Sequence, residues 1–238
     1  TELYGNPSSQ HNAGRSVRSA IEDARKKIAQ LINAQPGDIV FTSGGTESNN
    51  TILKGAVRDL GVKHIITSVI EHHCVSHTVE YLVKNDQIKL TILPVNENGQ
   101  IIISELEKAL ADSTEKTLVT LIHANNEIGV MIDIDQVAHI CKSHGAYFHS
   151  DTVQTFAHYP LDMQKTPVDF ISGAAHKFHG PKGVGFFYMR KSSKIQATIH
   201  GGSQERNMRA GTENVASIVG MTKAALIAYE HLEHDRPQ

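Results

Sequence analysis

Residues 39–50 read IVFTSGGTESNN, a short β-branched run followed by two glycines and a polar stretch. The run predicts a β-strand, and the residues after the glycines predict the start of a helix. Glycines at such a turn let backbone N–H groups approach an anion, and the helix N-terminus adds a favourable dipole. Thr46 could donate a hydrogen bond to a phosphate oxygen, although an ordinary strand-to-helix turn capped by Thr46 fits the same residues. No GKS or GKT follows, so this is not the P-loop of nucleotide-binding proteins.

Further β-branched runs alternate with helical patterns along the rest of the chain. With the first run they predict seven strands, at 39–42, 64–68, 90–93, 118–122, 146–150, 169–172 and 184–189. Such alternation is typical of an α/β fold with a mostly parallel sheet. We therefore expect a seven-stranded sheet flanked by helices, with ligands bound at the carboxyl ends of its strands.

The helical patterns carry start and stop signals. The first helix has apolar residues at three- and four-residue spacings, namely Val17, Ala20, Ile21, Ala24, Ile28, Leu31 and Ile32. Ser104, with Glu107 three residues later, predicts a capping box at the start of another helix. A further helix is expected near 136–144, and Gly145 is suited to end it.

Composition narrows the class of protein. The chain has 238 residues, a formal net charge of −2 and dispersed basic residues, so we expect no nucleic-acid partner. No apolar run approaches the roughly 20 residues that span a bilayer, so we expect no membrane partner. Two cysteines without a CxxC spacing favour a reduced, cytoplasmic compartment.

The ends of the chain suggest its domain organisation. The first residue is not Met, and the last helical pattern, from 214 to about 232, runs into the polar tail HDRPQ. We expect a large domain at 1–213, with residues 214–238 forming a helix that leads toward a small C-terminal domain. The sequence reads as cut at both ends.

A lysine in a glycine-rich turn is the first candidate for catalysis. The segment AAHKFHGPKG, residues 174–183, follows a predicted strand and is flanked by small residues. We expect Lys177 to lie near apolar walls, where desolvation lowers the pKa of an amine, as a Schiff-base lysine requires. The alternative is a surface lysine, and Lys182 is its rival in a setting typical of a turn.

Polar residues follow two other predicted strands. In HSDTVQ, residues 149–154, Asp151 could pair with a protonated pyridine nitrogen and Gln154 could reach a ring hydroxyl. Asp151 could equally be a helix N-cap. Asn125 and Asn126, in NNEIG, suit ligand contact at a strand end, although turns also use Asn.

The segment EHHC, residues 71–74, adds histidines. His73 and His77 are four residues apart on an expected helix, a spacing that can bind metal. No third ligand is evident, so we expect no metal and interpret His72 as an aromatic lid over a cofactor ring. We expect Cys74 and Cys141 to be ordinary buried cysteines.

In chain order, these motifs resemble one family. They are SGGTES (43–48), EHH (71–73), NNEIG (125–129), SDTVQ (150–154), AHKFHGPKGVG (175–185) and MRAGTEN (208–214). Together with YGNPSS at 4–9, they resemble the cysteine desulfurase and selenocysteine lyase family, which is NifS-like and belongs to the class-V aminotransferases. The resemblance implies the aspartate aminotransferase-like fold of pyridoxal-phosphate enzymes.

The resemblance implies pyridoxal 5′-phosphate as cofactor and a role for each residue around its ring. Lys177 would hold the cofactor as a Schiff base and move protons, and Asp151 would hold the proton of the ring nitrogen. Gln154 would bond the ring oxygen, His72 would stack on the ring, and Asn126 would contact the cofactor.

The resemblance also implies how the phosphate and the protein partners are bound. Gly45, Thr46 and His176 would anchor the phosphate, and Thr212 would reach the phosphate of a neighbouring subunit in a homodimer. The reaction would remove sulfur or selenium from cysteine or selenocysteine and release alanine. An acceptor or scaffold protein in iron–sulfur cluster assembly would be a further partner.

Two departures from the family limit what is expected. Ala174 stands where the family has a phosphate-binding serine, so we expect weaker cofactor retention. The family's catalytic cysteine and substrate-binding arginine lie in a later segment, and no residue here matches them. Another pyridoxal-phosphate lyase or aminotransferase, or a non-catalytic fragment that binds the cofactor, is therefore an alternative.

Overall fold

The computed structural model describes residues 4–9 and 11–232. In chain order the elements are α1 (Asn12–Leu31), β1 (Ile39–Thr42), α2 (Gly45–Leu60), β2 (His64–Ser68), α3 (His73–Asp86), β3 (Lys89–Leu93), α4 (Ile103–Ala111), β4 (Thr117–Ile122), β5 (Ala124–Asn125), β6 (Val130–Met131), α5 (Ile134–Ser143), β7 (Tyr147–Asp151), β8 (Phe170–Ala174), β9 (Gly185–Met189), α6 (Gln204–Asn207) and α7 (Val215–Glu230). A 3-10 turn, Ala175–Phe178, follows β8.

A seven-stranded sheet organises the described residues, in the order β1-β9-β8-β7-β4-β2-β3. The strands from β8 to β3 pair in parallel, and β9 runs antiparallel to both of its neighbours. All seven predicted strands are confirmed, with ends that differ by at most two residues. Because β9 is antiparallel to both β1 and β8, these two strands point in the same direction. The carboxyl ends of β1, β2, β4, β7 and β8 therefore lie at one edge of the sheet.

Helices cover the sheet with apolar faces. The stripe predicted for α1 is buried at Val17, Ile21, Ala24 and Ile28, and α1 packs against α7. On α2, Ile52, Leu53 and Ala56 have no exposed surface, so this helix lies deep between the sheet and its neighbours. The first turn of α2 is therefore held firmly beside the ends of the strands.

The predicted helix ends agree with the structure less well than the predicted strands do. The capping box at Ser104 is wrong, because α4 begins at Ile103 after the cap residue Ile102, with no side-chain cap. Pairing of Ile101 with Val95 holds the preceding residues extended, which fixes that start. By contrast, α5 begins at Ile134, since the Asp133 side chain accepts a hydrogen bond from Gln136 N.

Two predicted helix ends are confirmed near their expected places. Gly145, just after α5, has a φ of 68°, a left-handed conformation that costs glycine little. Asn214 caps α7, which ends at Glu230. The tail at 233–238 lies outside the described residues. Within the described residues, no helix combines the length and apolar character that crossing a membrane requires.

Candidate active site

A cavity of about 280 Å³ opens at the carboxyl edge of the sheet. Eight of the nine predicted site residues line it, namely Gly45, Thr46, His72, Asn126, Asp151, Gln154, His176 and Lys177. They come from segments that follow β1, β2, β4, β7 and β8. The fold therefore brings together residues that are up to 132 positions apart, from Gly45 to Lys177.

The first turn of α2 forms one wall of the cavity. Backbone N–H groups in the first turn of a helix have no partner within that helix and carry its positive dipole end. A Cβ at Gly45 would lie 2.6 Å from Val153 Cγ2, so glycine is required for this close approach. With the Thr46 hydroxyl, the turn fits a bound phosphate group.

Asp151, at the end of β7, is the buried carboxylate of the site. Its Oδ1 accepts a hydrogen bond from Val153 N at 3.0 Å, and its Oδ2 accepts one from Asn49 Nδ2 at 2.7 Å. Burial raises the pKa of Asp151 above its ordinary value, against the lowering effect of these hydrogen bonds. A buried carboxylate of this kind fits a cationic partner such as a protonated pyridine nitrogen.

Lys177 lies in the 3-10 turn after β8 and lines the cavity. Its expected place among apolar walls is wrong, because the side chain is exposed. The turn directs Phe178 and Ala175 into the core instead. The backbone of the turn is fixed by a hydrogen bond between His158 Nε2 and the Lys177 carbonyl at 2.9 Å. Lys182 is not among the residues that line this cavity.

His72 stands at the cavity wall as the N-cap of α3. Its Nδ1 accepts a hydrogen bond from Cys74 N at 3.1 Å, and Cys74 Sγ lies 2.9 Å from the same nitrogen. Nδ1 thus acts as a hydrogen-bond acceptor in this arrangement. The next histidines, His73 and His77, lie on α3 with stacked rings 5.0 Å apart.

The two asparagines of NNEIG, Asn125 and Asn126, make different contacts. Asn125 serves the turn, since its Nδ2 donates to Ile70 O at 2.7 Å and its Oδ1 accepts from Glu127 N at 2.8 Å. Asn126 lines the cavity and accepts a hydrogen bond from Gln154 Nε2 at 2.8 Å. Asn126 and Gln154 thus present a linked pair of amides to a ligand.

The two cysteines lie in different environments. Cys141 is buried in the core, as expected, and burial raises the pKa of its thiol. The same expectation is wrong for Cys74, which is half-buried and lines the cavity. Burial raises the pKa of Cys74 to about 11, so its thiol is protonated at neutral pH. In the described residues, no group of three or more His, Cys, Asp or Glu side chains could hold a metal ion.

Sequence reasoning missed three polar groups at the floor of the site. Asn49 bonds Asp151, Cys74 bonds His72, and Glu71 lies nearby as a buried carboxyl group. Glu71 Oε1 accepts hydrogen bonds from Ser68 Oγ at 2.5 Å and Ile122 N at 3.0 Å. Burial raises the pKa of Glu71 to about 8. The contact between Asn49 and Asp151 depends on how α2 packs against β7, and no sequence spacing indicates it.

Thr212 lies apart from this cavity. It lines a second cavity of about 230 Å³ together with Arg209 and Ser43. Arg209 Nε lies 2.9 Å from Glu47 Oε1, and Glu47 Oε2 accepts a hydrogen bond from Ser43 N. This ion pair ties the RAGTEN segment to the first turn of α2. The expected contact of Thr212 with a second subunit stays a prediction.

Comparison with known proteins identifies the family. The model of the family described as aminotransferase class V matches residues 1–236. The chain belongs to this family. Class-V members bind pyridoxal 5′-phosphate, and the phosphate-binding turn, buried carboxylate and lysine described above fit that cofactor.

Individual relatives of the class-V chain agree with this assignment. It is 50% identical to the cysteine desulfurase IscS of Dictyoglomus turgidum, with 99% of this chain and 59% of that protein covered. It is 47% identical to the cysteine desulfurase IscS of Methanosarcina thermophila, with 98% and 57% covered. The chain thus spans less than two thirds of the length of these curated relatives.

Solved structures confirm the fold of the class-V chain. A NifS-like protein at 41% identity has a TM-score of 0.93, with 98% of this chain and 64% of that chain covered. SspA, solved in complex with cysteine, is 36% identical with a TM-score of 0.89, and the match covers 95% of this chain and 65% of that one.

Proposed function

We propose that this protein contributes the pyridoxal-phosphate site of a cysteine desulfurase, which converts cysteine to alanine and passes the sulfur to an acceptor thiol. The observation that carries the proposal is the single cavity that joins Lys177, the buried carboxylate of Asp151 and the first turn of α2. The names of the relatives supply the substrate class, and SspA was solved with cysteine.

Each residue has a defined task in this proposal. The amine of Lys177 holds the cofactor and exchanges a proton with the substrate carbon. Asp151 keeps the ring nitrogen protonated, and His72 covers the ring face. When bound, pyridoxal phosphate supplies an electron sink for the substrate's α-carbon. The backbone N–H groups near Gly45, with the Thr46 hydroxyl and His176, hold the phosphate.

Neither cysteine of the chain suits the role of sulfur acceptor. The thiolate is the nucleophilic form, and burial raises the pKa of both Cys74 and Cys141. Cys141 also lies in the core at 1% exposure, where a substrate cannot reach it. We therefore assign the acceptor thiol to a residue other than these two.

We also propose that the protein acts as a cytoplasmic homodimer in which Thr212 bonds the cofactor phosphate of the partner subunit. Support comes from the position of Thr212 in a solvent-facing cavity beside Arg209, which is fixed to Glu47 at the phosphate-binding turn. Sedimentation with and without cofactor tests this assembly. A monomer at every concentration of the cofactor-loaded protein would contradict it.

The site is tested by adding pyridoxal phosphate, recording the visible spectrum, reducing with borohydride and mapping the labelled peptide. We expect the label on Lys177 in the unchanged protein and in Lys182→Ala, and its loss in Lys177→Ala. Label on Lys182 would overturn the assignment. The reaction is tested with the unreduced, cofactor-loaded protein, cysteine and excess dithiothreitol, whose thiol accepts the sulfur and whose oxidation to a disulfide releases it as sulfide. Alanine and sulfide are expected, and a keto acid would indicate an aminotransferase instead.

A further inference from the structure

Asn49 is the buried residue in contact with Asp151 from the helix α2. It has no exposed surface, and its Nδ2 lies 2.7 Å from Asp151 Oδ2 and 3.1 Å from Cys74 Sγ. Asn49 also lines the cavity. One amide group therefore contacts the buried carboxylate and the thiol that neighbours His72.

The donors and acceptors in this chain of contacts have a consistent direction. The amide of Asn49 has two N–H bonds, one for Asp151 Oδ2 and one for Cys74 Sγ. The Cys74 thiol then has its own proton to donate to His72 Nδ1, 2.9 Å away. The thiol shares His72 Nδ1 with the Cys74 backbone N–H, which lies 3.1 Å from that nitrogen, so hydrogen bonds connect the four side chains Asp151, Asn49, Cys74 and His72 in series.

Asn49 and the other partners of Asp151 bind different oxygens of its carboxylate. Oδ1 is held by Val153 N and, at 3.4 Å, by Ser172 Oγ. Oδ2 is held by Asn49 alone among the hydrogen bonds of the described residues. A carboxylate fixed at one oxygen can still turn about its bond to Cβ, so the contact with Asn49 sets the plane of the group.

We propose that Asn49 is a positioning residue that orients the carboxylate of Asp151 toward the cofactor's ring nitrogen, and that, through Cys74, it links this carboxylate to the ring of His72. This inference rests on the proposed function, since it gives Asp151 a cationic partner. It adds Asn49 to the site. The residues next to Asn49 in the sequence do not indicate this role.

The adjacent asparagine provides a matched control. Asn50 lies on the same helix, but its Nδ2 donates to Thr46 O at 3.0 Å and does not contact Asp151. Asn49→Ala removes both N–H donors, whereas Asn49→Leu keeps nearly the size and shape of the side chain and replaces the amide with two methyl groups that cannot ionise. The second variant covers the case in which Asn49→Ala fails to fold, and thermal unfolding without cofactor checks both.

The first readout needs no cofactor. Carboxyl carbon NMR of the protein labelled at aspartate follows the titration of Asp151 in each variant. Groups that face Asp151 and affect its titration are Glu71, His72 and Cys74, and all three are unchanged in these variants. Loss of the Asn49 donor should move the titration of Asp151 to higher pH in both variants and leave it unchanged in Asn50→Ala.

The second readout is the visible spectrum of the protein loaded with pyridoxal phosphate. When Asp151 binds the ring nitrogen of the cofactor less well, that nitrogen carries less positive charge. The nitrogen that links the cofactor to Lys177 then keeps its proton to higher pH. We expect the midpoint of the spectral titration to rise by about one pH unit in the Asn49 variants, the size expected for one hydrogen bond to a charged group. Asn50→Ala should titrate like the unchanged protein.

The two readouts separate failure of this inference from failure of the proposed function. If Asn49→Ala and Asn49→Leu lose thermal stability but Asp151 titrates as before, Asn49 has a structural role only and the inference is wrong. If the unchanged protein acquires no visible band, the proposed function fails. The NMR titration then still decides whether Asn49 controls the state of Asp151.

Discussion

Substitution of Glu71 by glutamine should make the protein more stable at mildly alkaline pH. The carboxyl group of Glu71 is buried, and its Oε1 accepts hydrogen bonds from Ser68 Oγ and Ile122 N. Its Oε2 has no hydrogen-bond partner. Glutamine keeps the accepting oxygen and nearly the same shape, and the cost of burying its NH2 group in place of Oε2 does not change with pH, so the pH dependence isolates the ionisation of Glu71.

The size and sign of the effect follow from the pKa of Glu71. Burial raises this pKa from 4.5 in the unfolded chain to about 8 in the folded protein. The stabilisation that the folded state gives the neutral acid is fully present below pH 4.5 and is lost as the pH rises through about 8. The difference between the two pKa values corresponds to a loss of at most about 5 kcal/mol in the free energy of unfolding. Water entry around the ionised group would reduce that loss.

Denaturant unfolding between about pH 5 and pH 9 measures the effect. The advantage of Glu71→Gln over the unchanged protein should grow from pH 5 to about pH 8 and level off above it. Glu97→Gln is the matched control, since Glu97 is exposed, and its stability should follow that of the unchanged protein. A constant difference between Glu71→Gln and the unchanged protein from pH 5 to pH 9 would refute the reasoning.

Two further substitutions test the cofactor site and the segment that leads to Thr212. Ala174→Ser places a hydroxyl beside the phosphate-binding turn and should tighten pyridoxal phosphate by about 1.5–3 kcal/mol, measured by absorbance titration, and an unchanged dissociation constant would contradict this. Glu205→Gln should cost about 3–5 kcal/mol in denaturant unfolding, because it breaks a buried pair in which both side chains are 2% exposed, with Arg25 Nη1 2.7 Å from Glu205 Oε2. Glu22→Gln removes the more exposed partner of Arg25, at 37% exposure, and should cost under about 1 kcal/mol. Equal losses in the two variants would contradict this account of the buried pair.

The sequence predicted the strands and the residues at their ends because both are local properties. A β-branched run bounded by polar residues specifies a strand, and parallel strands bring their carboxyl ends to one edge. Asp151 and Gln154 could thus be assigned to the site without knowledge of the fold. Their neighbours could not, since the contact between Asn49 and Asp151 joins residues 102 positions apart.

The errors have a related physical origin. The capping box at Ser104 failed because a tertiary pairing of Ile101 with Val95 determined where the helix starts. The burial expected for Lys177 failed because the small residues beside it face the core rather than the lysine. Cys74 was expected in the core because most free cysteines are buried, whereas its helix begins at the cavity wall. The errors at Lys177 and Cys74 concern the direction of a side chain, which composition does not specify.

The place of β1 in the sheet has a consequence for biosynthesis. β1 lies at the sheet edge and pairs with β9, with Ile39 opposite Tyr188. The strand that precedes the phosphate-binding turn can therefore dock only after the roughly 150 residues between Ile39 and Tyr188 have been synthesised. Contacts of such long sequence separation are slow to form because a long loop must close first, so we expect the anion site to be completed after most of the parallel strands have paired. A phosphate compound could therefore bind this site only in a nearly folded domain, where it would stabilise the pairing of β1 with β9.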